Sequence, residues 1–232
     1  MKIPLLALLA TAPLFADGPG VIESVYSAQE FALSADPASA QWKAIHGVFA
    51  ENNQYGKPTP GHRTEIRARW TDKNLYLLYI CSYEQLYLLE HPDKKNETNK
   101  LWDHDVAEVF AGADFDNIKH YREYQVSPQG EWVDLDIDRK NPLPDGGWKW
   151  NSGFEVKARI DQEKKIWYGE MRIPIASFDA REPKAGNEVR INFFRLQGPP
   201  PDRKYIAWQR TNGPSYHVPE AFGKMKLVKG KE

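Results

Sequence analysis

The chain has 232 residues, 41% of them hydrophobic, with 31 basic residues set against 32 acidic ones and a formal charge of -1. That length and apolar content fit a single domain with a proper core. The near-neutral charge gives no basis for a nucleic-acid partner or for attraction to an anionic membrane surface.

In chain order, Lys2 precedes an apolar run at 3–10, Thr11-Ala12-Pro13 breaks the run, and Ala16 stands before Asp17. The pattern predicts a signal peptide over 1–16 and a secreted or periplasmic mature domain over 17–232. The run is too short to span a bilayer, and no later segment reads as a membrane span. Residues 21–26 and 31–33 read as short strands. Residues 38–42 read as one helical turn that lays Trp42 on the core, and 52–62 as a loop.

The strand signal then strengthens. Over 64–70, Ile66, Ala68 and Trp70 alternate with Glu65, Arg67 and Arg69, a period of two with one wet and one buried face. A turn follows, and 75–82 is apolar on both faces, as in a central strand; the two make a hairpin. Residues 83–100 form a polar surface excursion. Further strands are predicted at 104–111, 120–127, 131–137, 154–160, 166–173, 188–196, 204–209 and 223–228. A long loop rich in Pro, Gly and Trp covers 138–153, and 175–178 is a short helical turn. No helical periodicity persists over three turns, and there is no internal repeat and no linker to a second domain. The expectation is an all-β single domain, an antiparallel β-sandwich of jelly-roll or immunoglobulin-like type.

Cys81 is the sole cysteine, so an exported fold must rest on its core rather than on an intrachain disulfide. It reads as a small buried apolar residue. The 6 His show no metal-ligand spacing, which leaves zinc without support. Aromatics are plentiful, with 8 Trp and 11 Tyr. Their flat faces and polar edges suit sugar rings as well as strand packing.

The stretch from Leu101 to Phe110 carries the chemistry. Glu108 sits inside an apolar strand, a place charged groups avoid unless they are paired or bind something. Alternation places His104, Val106, Glu108 and Phe110 on one face and turns Asp103 and Asp105 away from Glu108. On the next strand Tyr121, Glu123, Gln125 and Ser127 share a face, which either meets solvent or lines a concave site beside Glu108. Sugar hydroxyls require paired donors and acceptors. Arg195, on a late strand, is a candidate donor or an ion-pair partner of these acids. Tyr216 lies in a Gly/Pro-bounded loop, where binding residues often sit.

The segment from Trp102 to Phe110, the 121–127 strand, Trp208 and Phe222-Gly223 resemble the family 9 carbohydrate-binding module, a β-sandwich related to the DOMON group of sugar- and haem-binding domains. The resemblance spans roughly residues 21–228. It implies a non-catalytic domain that serves carbohydrate catabolism by binding polysaccharide or oligosaccharide. Trp102 and Tyr216 match an aromatic clamp and Glu108 the sugar-contacting carboxylate. Glu123, Gln125 and Ser127 match polar strand positions, and Asn212 matches a loop Asn. This chain departs from the pattern: Tyr replaces Trp, Glu stands where an amide is found, and Ser ends the polar row, so the sugar preference is not inherited. No cofactor is required. The resemblance also implies structural calcium, for which Asp114, Asp116 and Asn117 offer oxygen ligands on a turn. Two alternatives stand beside it. A DOMON-type haem domain for electron transfer needs axial ligands, and after signal removal the only Met residues are Met171 and Met225. An O-glycosyl hydrolase has carboxylates in Asp103, Asp105 and Glu108, but acids on one strand do not flank a bond.

Overall fold

The computed structural model describes residues 20–230; the predicted signal peptide lies outside the described residues. Strands dominate: β1 (Val21–Tyr26), β2 (Val48–Ala50), β3 (Asn52–Asn53), β4 (Thr64–Trp70), β5 (Asn74–Ser82), β6 (Val106–Gly112), β7 (His120–Val126), β8 (Trp132–Asp138), β9 (Glu155–Asp161), β10 (Ile166–Pro174), β11 (Glu188–Gln197), β12 (Lys204–Ala207) and β13 (Gly223–Val228). Short 3-10 turns occur at Leu101–Asp103, Pro144–Gly147, Ile175–Ser177 and Pro219–Ala221. Among the described residues no helix is long and apolar enough to cross a membrane.

All these strands belong to one sheet, whose main path runs β8-β7-β6-β11-β13-β1-β4-β5-β10-β9. The expectation of purely antiparallel pairing is corrected at β1, which runs parallel to both β13 and β4. Alternation encodes which face a residue takes but not the direction of the neighbouring strand. The other main pairings are antiparallel, including the 64–82 hairpin, where Ile66 faces Tyr79 and Ala68 faces Leu77. Residues 31–33 are irregular rather than a strand. The 38–42 segment is a set of turns that does bury Trp42 completely.

The sheet folds back on itself. One core cluster joins Ala107, Val109, Tyr124, Val126 and Phe193 from one half to Leu75, Leu77, Tyr79, Trp167 and Met171 from the other. Cys81 lies within this cluster, fully buried. Glu170, buried on β10, ties the 34–42 segment down. It accepts from Ser34 N at 2.7 Å, Ala35 N at 2.6 Å and Trp42 Nε1 at 2.8 Å. With each donor paired, the buried carboxylate escapes most of its desolvation cost.

The outer face of β8-β7-β6-β11 is different. Val106, Phe110, Tyr121, Val133, Leu135, Phe194 and Leu196 form a second cluster there, with Tyr216 and Phe222 packed on it. β6 is therefore buried on both sides, by the first cluster through Ala107, Val109 and Ala111 and by the second through Val106 and Phe110. Glu108 has the parity of the second side.

Candidate functional site

A cleft of about 860 Å³ opens on this outer face, within the usual range for small-molecule sites. Glu108 and Glu123 lie at its floor. Trp102, Trp148, Tyr205 and Tyr216 line its walls, and Lys100, Arg139 and His217 contribute polar groups.

Register explains the floor. Antiparallel pairing sets Glu108 opposite Gln125 and Phe110 opposite Glu123, so the three polar side chains fall on one face of adjacent strands. Gln125 Nε2 donates to Glu108 Oε1 at 2.9 Å and to Glu123 Oε1 at 2.5 Å. The two acids are only 3% and 4% exposed. Burial, reinforced by the neighbouring Glu123, holds Glu108 well above the usual carboxylate range. Burial likewise pushes Glu123 up to about 7. His217 approaches Glu123 at 3.9 Å, stacks on Phe110 with centroids 5.0 Å apart, and meets the Tyr121 hydroxyl at 2.8 Å through Nδ1. Desolvation lowers its pKa to about 4, so the imidazole is neutral at pH 7.

The walls come from irregular segments. The 3-10 turn Leu101–Asp103 presents Trp102, half-buried, against the second cluster. Arg203 fixes that turn by donating to the carbonyls of Trp102 and Asp103, both at 2.8 Å, and to that of His104. Trp148 also lines the cleft. The chain reaches it through three consecutive left-handed residues, Asp145, Gly146 and Gly147. At Gly147 a Cβ would lie 2.0 Å from the Asp136 carbonyl, so only glycine lets this loop lie against β8. Tyr216 is 9% exposed. It stacks on Phe194 at 4.1 Å, and its hydroxyl donates to the carbonyls of Ile206 at 3.3 Å and Arg195 at 3.4 Å. Tyr205, 41% exposed, sits edge-on to it at 6.2 Å.

Of the residues singled out from sequence, Trp102, Glu108, Glu123 and Tyr216 line the cleft. Gln125 lies beneath, fully buried, and bridges the two acids. The other three lie elsewhere. Arg195 faces the inner core, because Phe194, not Arg195, is opposite Glu108. Its guanidinium is spent on Thr64 Oγ1 at 3.1 Å, on the Ser82 carbonyl at 2.7 Å and on Gln197. Ser127 closes the β7–β8 turn, donating to Glu131 and accepting from the amides of Gln129 and Gly130. Asn212 is exposed with φ 55°, a left-handed turn position that asparagine tolerates, and its amide donates to the Gln54 carbonyl at 2.9 Å.

The turn suggested for calcium is held by its own backbone. Asp114 Oδ1 accepts from the amides of Asp116 and Asn117, each at 2.9 Å, so a cation there would share an oxygen already committed to two amides. Among the described residues no three His, Cys, Asp or Glu side chains gather as a metal site. Asp105 is a structural post, accepting from Tyr87 N at 2.9 Å and Gly198 N at 2.6 Å. It stands apart from Glu108, so the acids proposed for a hydrolase do not assemble in the cleft. Met171 and Met225 are wholly buried in the first core cluster, away from the cleft and unable to ligate a haem placed there.

Sequence reasoning missed Trp148, Tyr205, Arg139 and His217. The Trp-rich 138–153 loop was visible as a signal, and the neighbouring left-handed Asp-Gly-Gly run marks where it folds back.

A family model described as carbohydrate family 9 binding domain-like matches residues 35–230. A protein described as extracellular from Arthroderma benhamiae is 26% identical, over 88% of this chain and 97% of its own length. Two solved structures of a family 9 carbohydrate-binding module from Caldicellulosiruptor kristjanssonii share the fold. The one in complex with cellotriose has a TM-score of 0.64 at 18% identity, covering 92% of this chain and 95% of its own. The one in complex with glucose has a TM-score of 0.62 at 17% identity, covering 91% and 97%.

Proposed function

The chain belongs to the carbohydrate family 9 binding domain-like family, and on that premise we propose that its outer-face cleft binds a neutral oligosaccharide or the end of a polysaccharide without cleaving it. The observation that carries the reading is the coincidence of two features in one cavity. Trp102, Trp148, Tyr205 and Tyr216 supply apolar faces for a pyranose ring, and Glu108 and Glu123 supply hydrogen-bonding groups beneath it. Glucose and cellotriose, the ligands named for the related modules, are the first probes.

Trp102 is the main stacking surface in this reading, and Tyr216, pinned by Phe194 and two carbonyls, is the rigid opposing wall. The folded-back sheet is read as the jelly-roll sandwich of the family. Residues 1–16 act as a signal for export, a reading supported by the charged and apolar pattern and by the extracellular relative. Outside the cell the domain would hold glycan for enzymes of carbohydrate breakdown.

Calorimetric titration tests the proposal. Cellotriose binds the wild-type chain, and Trp102→Ala weakens binding by about 2 kcal/mol or more, some 30-fold, as expected for a central aromatic anchor. The circular dichroism spectrum stays unchanged because Trp102 is only half-buried. Equal affinity in the two proteins would remove Trp102 from the site.

A further inference from the structure

We infer that Glu108 and Glu123 work as one acid–carboxylate pair that keeps at least one proton at neutral pH, so that the cleft floor offers an O–H donor beside a carboxylate acceptor to two neighbouring hydroxyls of a neutral sugar. The inference rests on the carbohydrate reading and specifies how its floor recognises the ligand.

The geometry forces the sharing. Both acids are buried, and one amide nitrogen, Gln125 Nε2, lies within 2.9 Å and 2.5 Å of the two carboxylates. No lysine or arginine forms an ion pair with either acid among the described residues. None of the charged groups around the pair meets it in a contact ion pair: Lys100 lines the same cleft but is exposed to solvent. His217, on the loop over the floor, is 3.9 Å from Glu123 and kept neutral by its burial. Arg203, hydrogen-bonded to the carbonyls of residues 102–104, keeps its charge and draws Glu108 down, but by less than burial and Glu123 raise it. Arg139 follows β8 and is exposed at the rim. Tyr121 on β7 and Tyr216 on the loop are held un-ionised by burial. Two buried like charges without a counter-ion do not both persist; one carboxyl keeps its proton. The burial-driven rise of Glu123 to about 7, with Glu108 also held well above its ordinary value, agrees with this.

The consequence is chemical. Two carboxylates can only accept, so adjacent sugar hydroxyls would both have to donate to them. A singly protonated pair donates to one hydroxyl and accepts from the other, which matches the dual character of each. A sugar carrying its own carboxylate would meet repulsion at this floor.

Carboxyl-carbon NMR of the ligand-free full chain measures the proton directly. The expected result is that at least one of the two carboxyls is still protonated at about pH 7. Full ionisation of both by about pH 6 would overturn the inference. Glucose titrations give the recognition half. Affinity should fall about tenfold between about pH 6 and about pH 9 as the pair loses protons. The Glu108→Gln/Glu123→Gln double variant, which cannot ionise, should lose that slope. A flat wild-type profile with binding intact would overturn the recognition role alone. A shared proton seen by NMR with no sugar bound at any pH would instead sink the carbohydrate reading, and recognition with it.

Discussion

Two buried carboxylates mark the site, and their cost has to appear in stability. Glu123 titrates near 7 in the folded chain against an ordinary 4.5. The folded state therefore keeps a proton that the unfolded chain releases between those values. Its contribution is complete below about pH 4.5 and is lost as pH rises toward 7. His217 has the opposite sign. Lowered to about 4 from 6.5, it stabilises fully above 6.5 and less as pH falls toward 4. The two slopes oppose each other, and Glu108, also raised, adds to that of Glu123. Glu123→Gln removes one falling slope, so between about pH 4.5 and about pH 6.5 its melting temperature should fall less, or rise more, with pH than the wild type's. Thermal melts of both proteins across that range check it, and parallel curves would refute the burial of Glu123. At this scale the sequence was informative about Glu108, because a charge in an apolar strand is itself a signal. Arg195 gave the same signal for another reason. It is the buried centre of a network with Gln197 and Thr64 on the inner face, and only the β6–β11 register separates the two cases.

Among elements, the strands are regular and the walls are not. Period-two alternation located 64–70 and the hairpins from 120 onward, and an apolar run on both faces located 75–82, each to within a residue or two. The walls of the cleft come from turns whose mutual placement alternation does not encode. Trp148 is the clearest case. It reaches the cleft because Gly147 adopts φ 83° against the Asp136 carbonyl. Gly147→Ala sets a methyl against that oxygen and strains the backbone, so the loop must lift from β8. Affinity for cellotriose should fall by about tenfold or more while the core strands keep their hydrogen-exchange protection. Unaltered affinity would show that the Trp148 wall is dispensable. The parallel joints at β1 were equally hidden, because strand direction follows from chain connectivity and not from local pattern.

As a whole, the molecule is one mixed sheet folded over a large apolar core, with its cleft on an outer face rather than inside the fold. That separation lets the site vary while the core stays fixed, and it fits a binding domain whose relatives share a fold at low identity. No intrachain disulfide adds to its stability, because Cys81 is the single cysteine, and it is fully buried. Excess reductant should leave the melting temperature unchanged, which differential scanning calorimetry would show, and a marked drop would reveal an intermolecular disulfide. The near-neutral charge agrees with an uncharged ligand, whose binding should be nearly insensitive to salt.

The most direct test of the carbohydrate cleft is an NMR titration of the isotope-labelled chain with cellotriose, read at the tryptophan indoles. The account predicts saturable shifts of the Trp102 and Trp148 indole N–H signals, with those of Trp42 and Trp167, both fully buried elsewhere, left in place. Binding that moves neither Trp102 nor Trp148, or no binding at all, would contradict it.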